Sequence, residues 1–257
     1  MLLFILSILP VLIIGIYIYN KDKEKEPLSL LAKLFFGGVG ACFLSLLISF
    51  LLEILFPFFA VERSTLKLSE LFVSVFIGVA LVEEFSKWVM VYRLSYYDYE
   101  YDETLDMVLY CVFVALGFAC FENLLYVYYG GVMTGVLRAV LAVPGHACDG
   151  LMMGYYLSLS KTAHLNKQKA LRIKYTILSI LVPTILHGIY DYCLYTRKMG
   201  YIVLFFVFIV CLYVYTITVI NKTATNNRRF KYKDNFCSQC GTKVESEYCP
   251  LCGKKNE

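Results

Sequence analysis

Long apolar runs alternate along the chain with short polar interruptions, and the runs are too long for strands and too uniformly apolar for surface helices. A helix needs about 20 mostly apolar residues to cross a hydrocarbon core about 30 Å thick. Seven runs reach that length, at 2–19, 28–56, 69–92, 103–129, 132–159, 175–195 and 201–220. They are separated by KDKEKEP, a segment at 57–68, the tyrosine-rich SYYDYEYD, the pair Gly130 and Gly131, a basic segment at 161–174, and RKMG. The pattern predicts an all-α, polytopic membrane helix bundle of about seven transmembrane helices, with the lipid bilayer as its first partner.

Composition agrees. Apolar residues make up 59% of the chain and charged residues 17%, against about 45–50% and about 25% in soluble domains. The net charge of +4 does not call for a nucleic acid, because the basic residues sit mostly between the apolar runs. Basic loops are retained in the cytoplasm. With the N-terminus outside, cytoplasmic connections and tail hold 17 Lys and Arg, external ones hold four, and Lys33, Lys87 and Arg138 lie within spans. The first run lacks a basic leader and a small-residue cleavage pattern, so it is expected to be a retained anchor.

Several polar residues interrupt the apolar runs, where a charge costs about 2.5–3.5 kcal/mol and normally faces a bundle interior or a wet cavity. VEEFSKW places Glu83 and Lys87 four apart on one helical face, with Glu84 beside them. Lys87 can neutralise one carboxylate and leave the other available. GFACFENLLYVYY carries Glu122 and Asn123, with Tyr126 on the face of Glu122. Arg138 follows, then PGHACDG, in which Pro144 is expected to break the hydrogen-bond ladder just before His146 and Asp149. VPTILHGIYDY repeats the device, with Pro183 followed by His187 and Asp191 four apart. Two of the three histidines thus sit at membrane depth beside an acid.

Buried carboxylates and imidazoles of this kind suit three chemistries. A carboxylate can take a proton from water that attacks a peptide carbonyl, with His or Asn donors on the oxyanion. Two imidazoles and a carboxylate can hold a zinc ion, although the HExxH spacing is absent. The same residue types also line proton and ion pathways, and a non-catalytic signalling scaffold could use them as salt bridges.

Taken in order, VEEFSKW, LGFACFENLLYV, RAVLAVPGHACDGLMMGYY and ILHGIYDY resemble the four motifs of the PrsW family of intramembrane proteases, related to the CAAX-protease and bacteriocin-processing group. The resemblance covers residues 69–196. It implies a glutamate-dependent peptidase with no metal expected in the catalytic site. Glu83 and Glu84 would be the essential pair, Glu122 the second-motif acid, and His146 and His187 the oxyanion or water-positioning groups. Lys87, Asn123, Tyr126, Asp149 and Asp191 would support them, Asp191 as the orienting partner of His187. It also implies a single-pass membrane substrate resembling an anti-sigma factor, cut first in a stress-signalling cascade, and residence in a bacterial cell membrane.

Past the protease core at 1–220, composition changes abruptly. Residues 221–235 form a polar, basic juxtamembrane linker expected to lie on anionic headgroups. Residues 236–257 contain Cys237, Cys240, Cys249 and Cys252, two CxxC pairs eight residues apart and each followed by Gly. This spacing predicts a zinc ribbon with four thiolates on one structural zinc ion, in a cytosolic tail too short to bury a core without metal. The six other cysteines lie in the apolar runs and are expected to behave as small apolar residues.

Overall fold

The computed structural model describes residues 2–98, 100–230 and 251. Cys237, Cys240, Cys249 and Cys252, and with them the predicted ribbon, lie outside the described residues. The described chain is helical, with no strand beyond an isolated bridge between Glu103 and Arg229. Helix α1 spans Leu2–Tyr19 and α2 Leu28–Leu55. Two short 3-10 turns, Pro57–Ala60 and Arg63–Thr65, lead into α3, Leu68–Val75, which runs through a π-helical segment at Phe76–Leu81 into α4, Val82–Ser95. Helices α5, Asp106–Val140, α6, Ala142–Leu165, α7, Lys169–Tyr195, and α8, Met199–Thr225, follow. Among the described residues, four stretches are long and apolar enough to cross a membrane: Leu28–Leu55, Asp106–Leu165, Lys169–Tyr195 and Met199–Thr225.

The stretch Asp106–Leu165 differs from its expected division. Gly130 does not lie in a loop; the chain turns sharply at Gly131, whose φ of 76° and ψ of −166° are open to glycine at little cost. The nine residues after it, the last part of α5, fold back against the part before the turn, with Gly135 against Val127 and Arg138 against Glu122. The ladder breaks at Leu141, not at Pro144, which occupies the first turn of α6, where a missing N–H costs little. In a continuous helix the N–H of residue 144 would serve the carbonyl of Val140. Here the Tyr213 hydroxyl donates to that oxygen at 2.9 Å and to Leu141 O at 3.0 Å.

Helix α5 is the central post. Nearly every side chain from Asp106 to Cys120 is buried, against α1, α2, α4 and α6. Glycines let the backbones touch, as small residues do between membrane helices. A Cβ at Gly117 would stand 1.9 Å from the Phe35 carbonyl oxygen, and one at Gly154 2.5 Å from Val108 Cα. Gly117→Val is therefore expected to force α2 from α5 and to cost about 1–3 kcal/mol or more. Thermal unfolding in detergent checks this against Gly200→Val, a position with nothing within 4 Å, which should melt with the wild type.

One end of the bundle gathers the α1–α2 connection, the α4–α5 connection and the end of α8. Lys21 donates to Asn221 at 2.8 Å, Arg229 pairs with Glu24 and Asp102, and Phe230 N donates to Asp102 O at 2.7 Å. The segment expected to lie on headgroups thus begins differently. Residues 221–225 finish α8, and 227–230 are bonded to 102–105.

Candidate active site

The EExxK stretch begins where the π-helical segment ends. A π turn adds a residue to one turn, so the side chains after it are rotated from the faces they would otherwise occupy. That segment packs against α7. A Cβ on Gly188 would come within 2.5 Å of the Phe76 ring, so glycine next to His187 sets how closely α7 approaches.

Within α4, Lys87 meets Glu84 and not Glu83. The Nζ of Lys87 donates to Glu84 Oε1 at 2.6 Å, an i,i+3 pair whose side chains are 1% and 0% exposed. The i,i+4 partner on the expected face, Glu83, is instead among the residues lining the cavity, and its Oε2 is buried without a hydrogen-bond partner. Lys87 points into the bundle because α5 and α6 supply its other neighbours, the Phe118 ring at 4.2 Å and His146 Nδ1 at 3.1 Å. An ammonium can only donate, so His146 Nδ1 accepts and its proton is on Nε2. That Nε2–H donates to Glu122 Oε2 at 2.9 Å.

A second cluster continues from Glu122. Arg138, carried back by the turn at Gly131, donates through Nη2 to Glu122 Oε2 at 2.8 Å and through Nε to Asn123 Oδ1 at 3.0 Å. Its guanidinium lies 4.1 Å from the centre of the Tyr126 ring. Asn123 uses its amide on α1, donating to Ser7 O at 3.1 Å. On α7, His187 Nδ1 lies 2.9 Å from Glu84 Oε1 and donates to it, leaving Nε2 at 3.6 Å from Asp191 Oδ2 and 3.8 Å from Glu83 Oε2. The two imidazole centroids are 5.3 Å apart.

Between these clusters is a cavity of about 70 Å³, large enough for water. Glu83, Glu122, Tyr126, His146, Asp149, His187 and Asp191 line it, so α4, α5, α6 and α7 each contribute. Glu84, Lys87 and Asn123 stand behind it and hold the lining in place. Arg138, Tyr190 and Tyr195 also line it and were given no role from sequence. An arginine inside an apolar run was the available signal for the first; the tyrosines give none in a chain with 22 of them. Both nitrogens of His146 are engaged by Lys87 and Glu122, whereas His187 presents Nε2 to the cavity without a hydrogen bond.

The donor set fits a divalent ion. One ligand atom each from Glu84, His146, Asp149 and His187 lie within 4.8 Å of one another, as do those of Glu83, Glu122 and His146. Lys87 and Arg138 already hold several of these. The donors that the chain's own pairing leaves free are Glu83 Oε2, Glu84 Oε2, Asp149 Oδ1 and His187 Nε2, with Asp191 beside the last. Carboxylate and imidazole donors are those of catalytic zinc sites.

Comparison with known proteins gives one consistent result. A family profile described as PrsW family intramembrane metalloprotease matches residues 26–218. A protein named Protease PrsW from Oceanobacillus iheyensis is 38% identical over 188 residues, which are 73% of this chain and 80% of that protein. Its namesake from Clostridioides difficile is 34% identical over 232 residues, 88% and 93% of the two chains. Another from Bacillus subtilis is 36% identical over 179 residues, 69% and 76%. No solved structure matches the chain.

Proposed function

We propose, from the premise that this chain belongs to the PrsW family of intramembrane proteases, that Glu83 is the general base of its peptide hydrolysis. The observation that carries this reading is the division of labour between adjacent glutamates. Glu84 is tied through Oε1 to Lys87 and His187 and stands behind the cavity, while Glu83 borders the cavity and is hydrogen-bonded to neither. Glu83 takes a proton from a water in the cavity as that water attacks the scissile carbonyl, and returns it to the departing amine. Protonated on both nitrogens in this reading, His187 donates through Nδ1 to Glu84 and offers Nε2–H to the oxygen on which charge develops, with Asp191 beside it. Glu122, His146 and Arg138 form a charged brace that fixes the opposite wall.

A second reading is favoured by the free donors and by the description of the family as metalloproteases. A divalent ion held by Glu83, His187 and Asp149 would polarise the carbonyl and lower the pKa of bound water. Chelation separates the two readings. In a full-length chain with Cys237, Cys240, Cys249 and Cys252 changed to Ser, cleavage that survives a strong chelator supports the glutamate mechanism. Cleavage lost and then restored by zinc supports the metal.

The substrate we assign is a single-pass membrane protein of the anti-sigma-factor kind, cut first in a stress response at the bacterial cell membrane. The assignment follows the family resemblance. Seven crossings with the N-terminus outside and the tail in the cytosol would place the ends of α1, α4, α6 and α8 on the basic side, in keeping with the loops that gather at one end of the bundle. The tail would carry its structural zinc on the four cysteines. Co-expression with a tagged candidate substrate tests the assignment. The wild type should release a shortened fragment and His187→Ala should leave the substrate whole; equal cleavage by both would remove this cavity from consideration.

A further inference from the structure

Away from the cavity, at the end where the α1–α2 connection meets α5, three carboxylates are buried together. Asp22, Glu26 and Asp106 are 3%, 6% and 1% exposed, and one oxygen from each lies within 4.8 Å of the other two. Asp106 is 16 residues before Glu122 on α5, roughly 24 Å at about 1.5 Å per residue, so this cluster is separate from the peptidase machinery.

The local hydrogen bonds hold the three groups without neutralising them. Asp106 Oδ2 accepts from the N–H groups of Asp102 at 3.0 Å and Glu103 at 2.6 Å. Glu26 Oε2 accepts from the Tyr110 hydroxyl at 2.7 Å. Asp22 Oδ1 accepts from Glu24 N–H at 3.1 Å, and its Oδ2 is buried with no partner at all. The cations close by are committed elsewhere. Lys25 donates to the carbonyl oxygens of Tyr19 and Asp22, Lys21 to Asn221, and Arg229 pairs with Glu24, Asp102 and Glu103. Among the described residues, no Lys, Arg or His forms an ion pair with any of the three carboxylates.

Three carboxylates this close, shielded from water and without an ion-paired cation, repel one another and lack the hydration they had in the unfolded chain. A small cation among them removes both penalties. The donors are all oxygen, which selects hard ions of the magnesium, manganese or calcium class over zinc or copper. We propose that Asp22, Glu26 and Asp106 bind one hard divalent cation, which fastens the α1–α2 connection to the first turn of α5. The unpartnered Asp22 Oδ2 is the oxygen that this assignment explains and that hydrogen bonding within the chain does not.

The test uses the purified full-length chain in detergent with Mn²⁺ alone as the probe, followed by electron paramagnetic resonance. Wild type should bind one more equivalent of Mn²⁺ than Asp22→Asn, which keeps the side chain's shape and its contact with the Glu24 amide. The variant's affinity at this site should fall by about tenfold or more. Mg²⁺ or Ca²⁺ should displace that equivalent and raise the unfolding midpoint of the wild type alone. Glu26→Gln, which keeps the Tyr110 contact, should repeat the loss. Any Mn²⁺ at the cavity or the cysteines is common to all three proteins and cancels. Equal stoichiometry in wild type and both variants, or variants that match the wild type in stability with no cation response, would show that the acids share protons instead and would overturn the site.

Discussion

Glu83→Gln is expected to stop substrate cleavage while leaving the folded protein at least as stable as the wild type. The amide has the size and shape of the carboxyl group but cannot take a proton from water. Loss of a positioned general base lowers rates by about 10²–10⁴. The fold should be indifferent, because Glu83 Oε2 has no hydrogen-bond partner and the nearest imidazole nitrogen, His187 Nε2, is 3.8 Å away. Glu84→Gln is the contrasting variant. It removes the charge that Lys87 and His187 both address, so activity and thermal stability should fall together. Fragment release over time, measured beside the unfolding midpoint of each purified variant, reads the split. Cleavage by Glu83→Gln at the wild-type rate would take the base away from that residue, and an equal loss of stability in both variants would remove the distinction between them.

Lys87→Met is expected to be the most damaging single change to the fold. The ammonium is 1% exposed, donates to a fully buried carboxylate at 2.6 Å and to His146 at 3.1 Å, and lies over the Phe118 ring. Methionine fills most of the volume, so the loss is electrostatic. Breaking one side of a buried ion pair costs about 3–5 kcal/mol, because the remaining charge stays buried without compensation. The double variant Lys87→Met, Glu84→Gln should recover part of that loss, since neither charge then remains. A thermal or denaturant series on wild type, both singles and the double gives the coupling directly. Additive losses would mean that the pair does not act as a unit.

Much of the architecture was legible in the residue pattern. Apolar runs of membrane length became α1 and α2 to within a residue, and α7 and α8 with extensions of up to six residues, because in lipid a backbone must satisfy its own polar groups and a helix does so locally. The polar residues that stood out against those runs, Glu83, Glu122, His146 and His187, line one cavity. Their cost in hydrocarbon leaves few places for them except a shared interior.

Other features depend on contacts between residues far apart in the chain. Periodicity placed Lys87 on the face of Glu83, yet the neighbours supplied by α5 and α6 turn it to Glu84 and free Glu83 for the cavity. Arg138 looked like an isolated intramembrane charge until the turn at Gly131 carried it back to Glu122. KDKEKEP read only as a polar connection between apolar runs, but Asp22 and Glu26 are buried against Asp106 and Tyr110 of α5. Spacing along a helix fixes which residues share a face, because that geometry is local. Which face meets which partner is set by the packing of whole helices, where one close glycine contact or one bend in the backbone redirects every side chain beyond it.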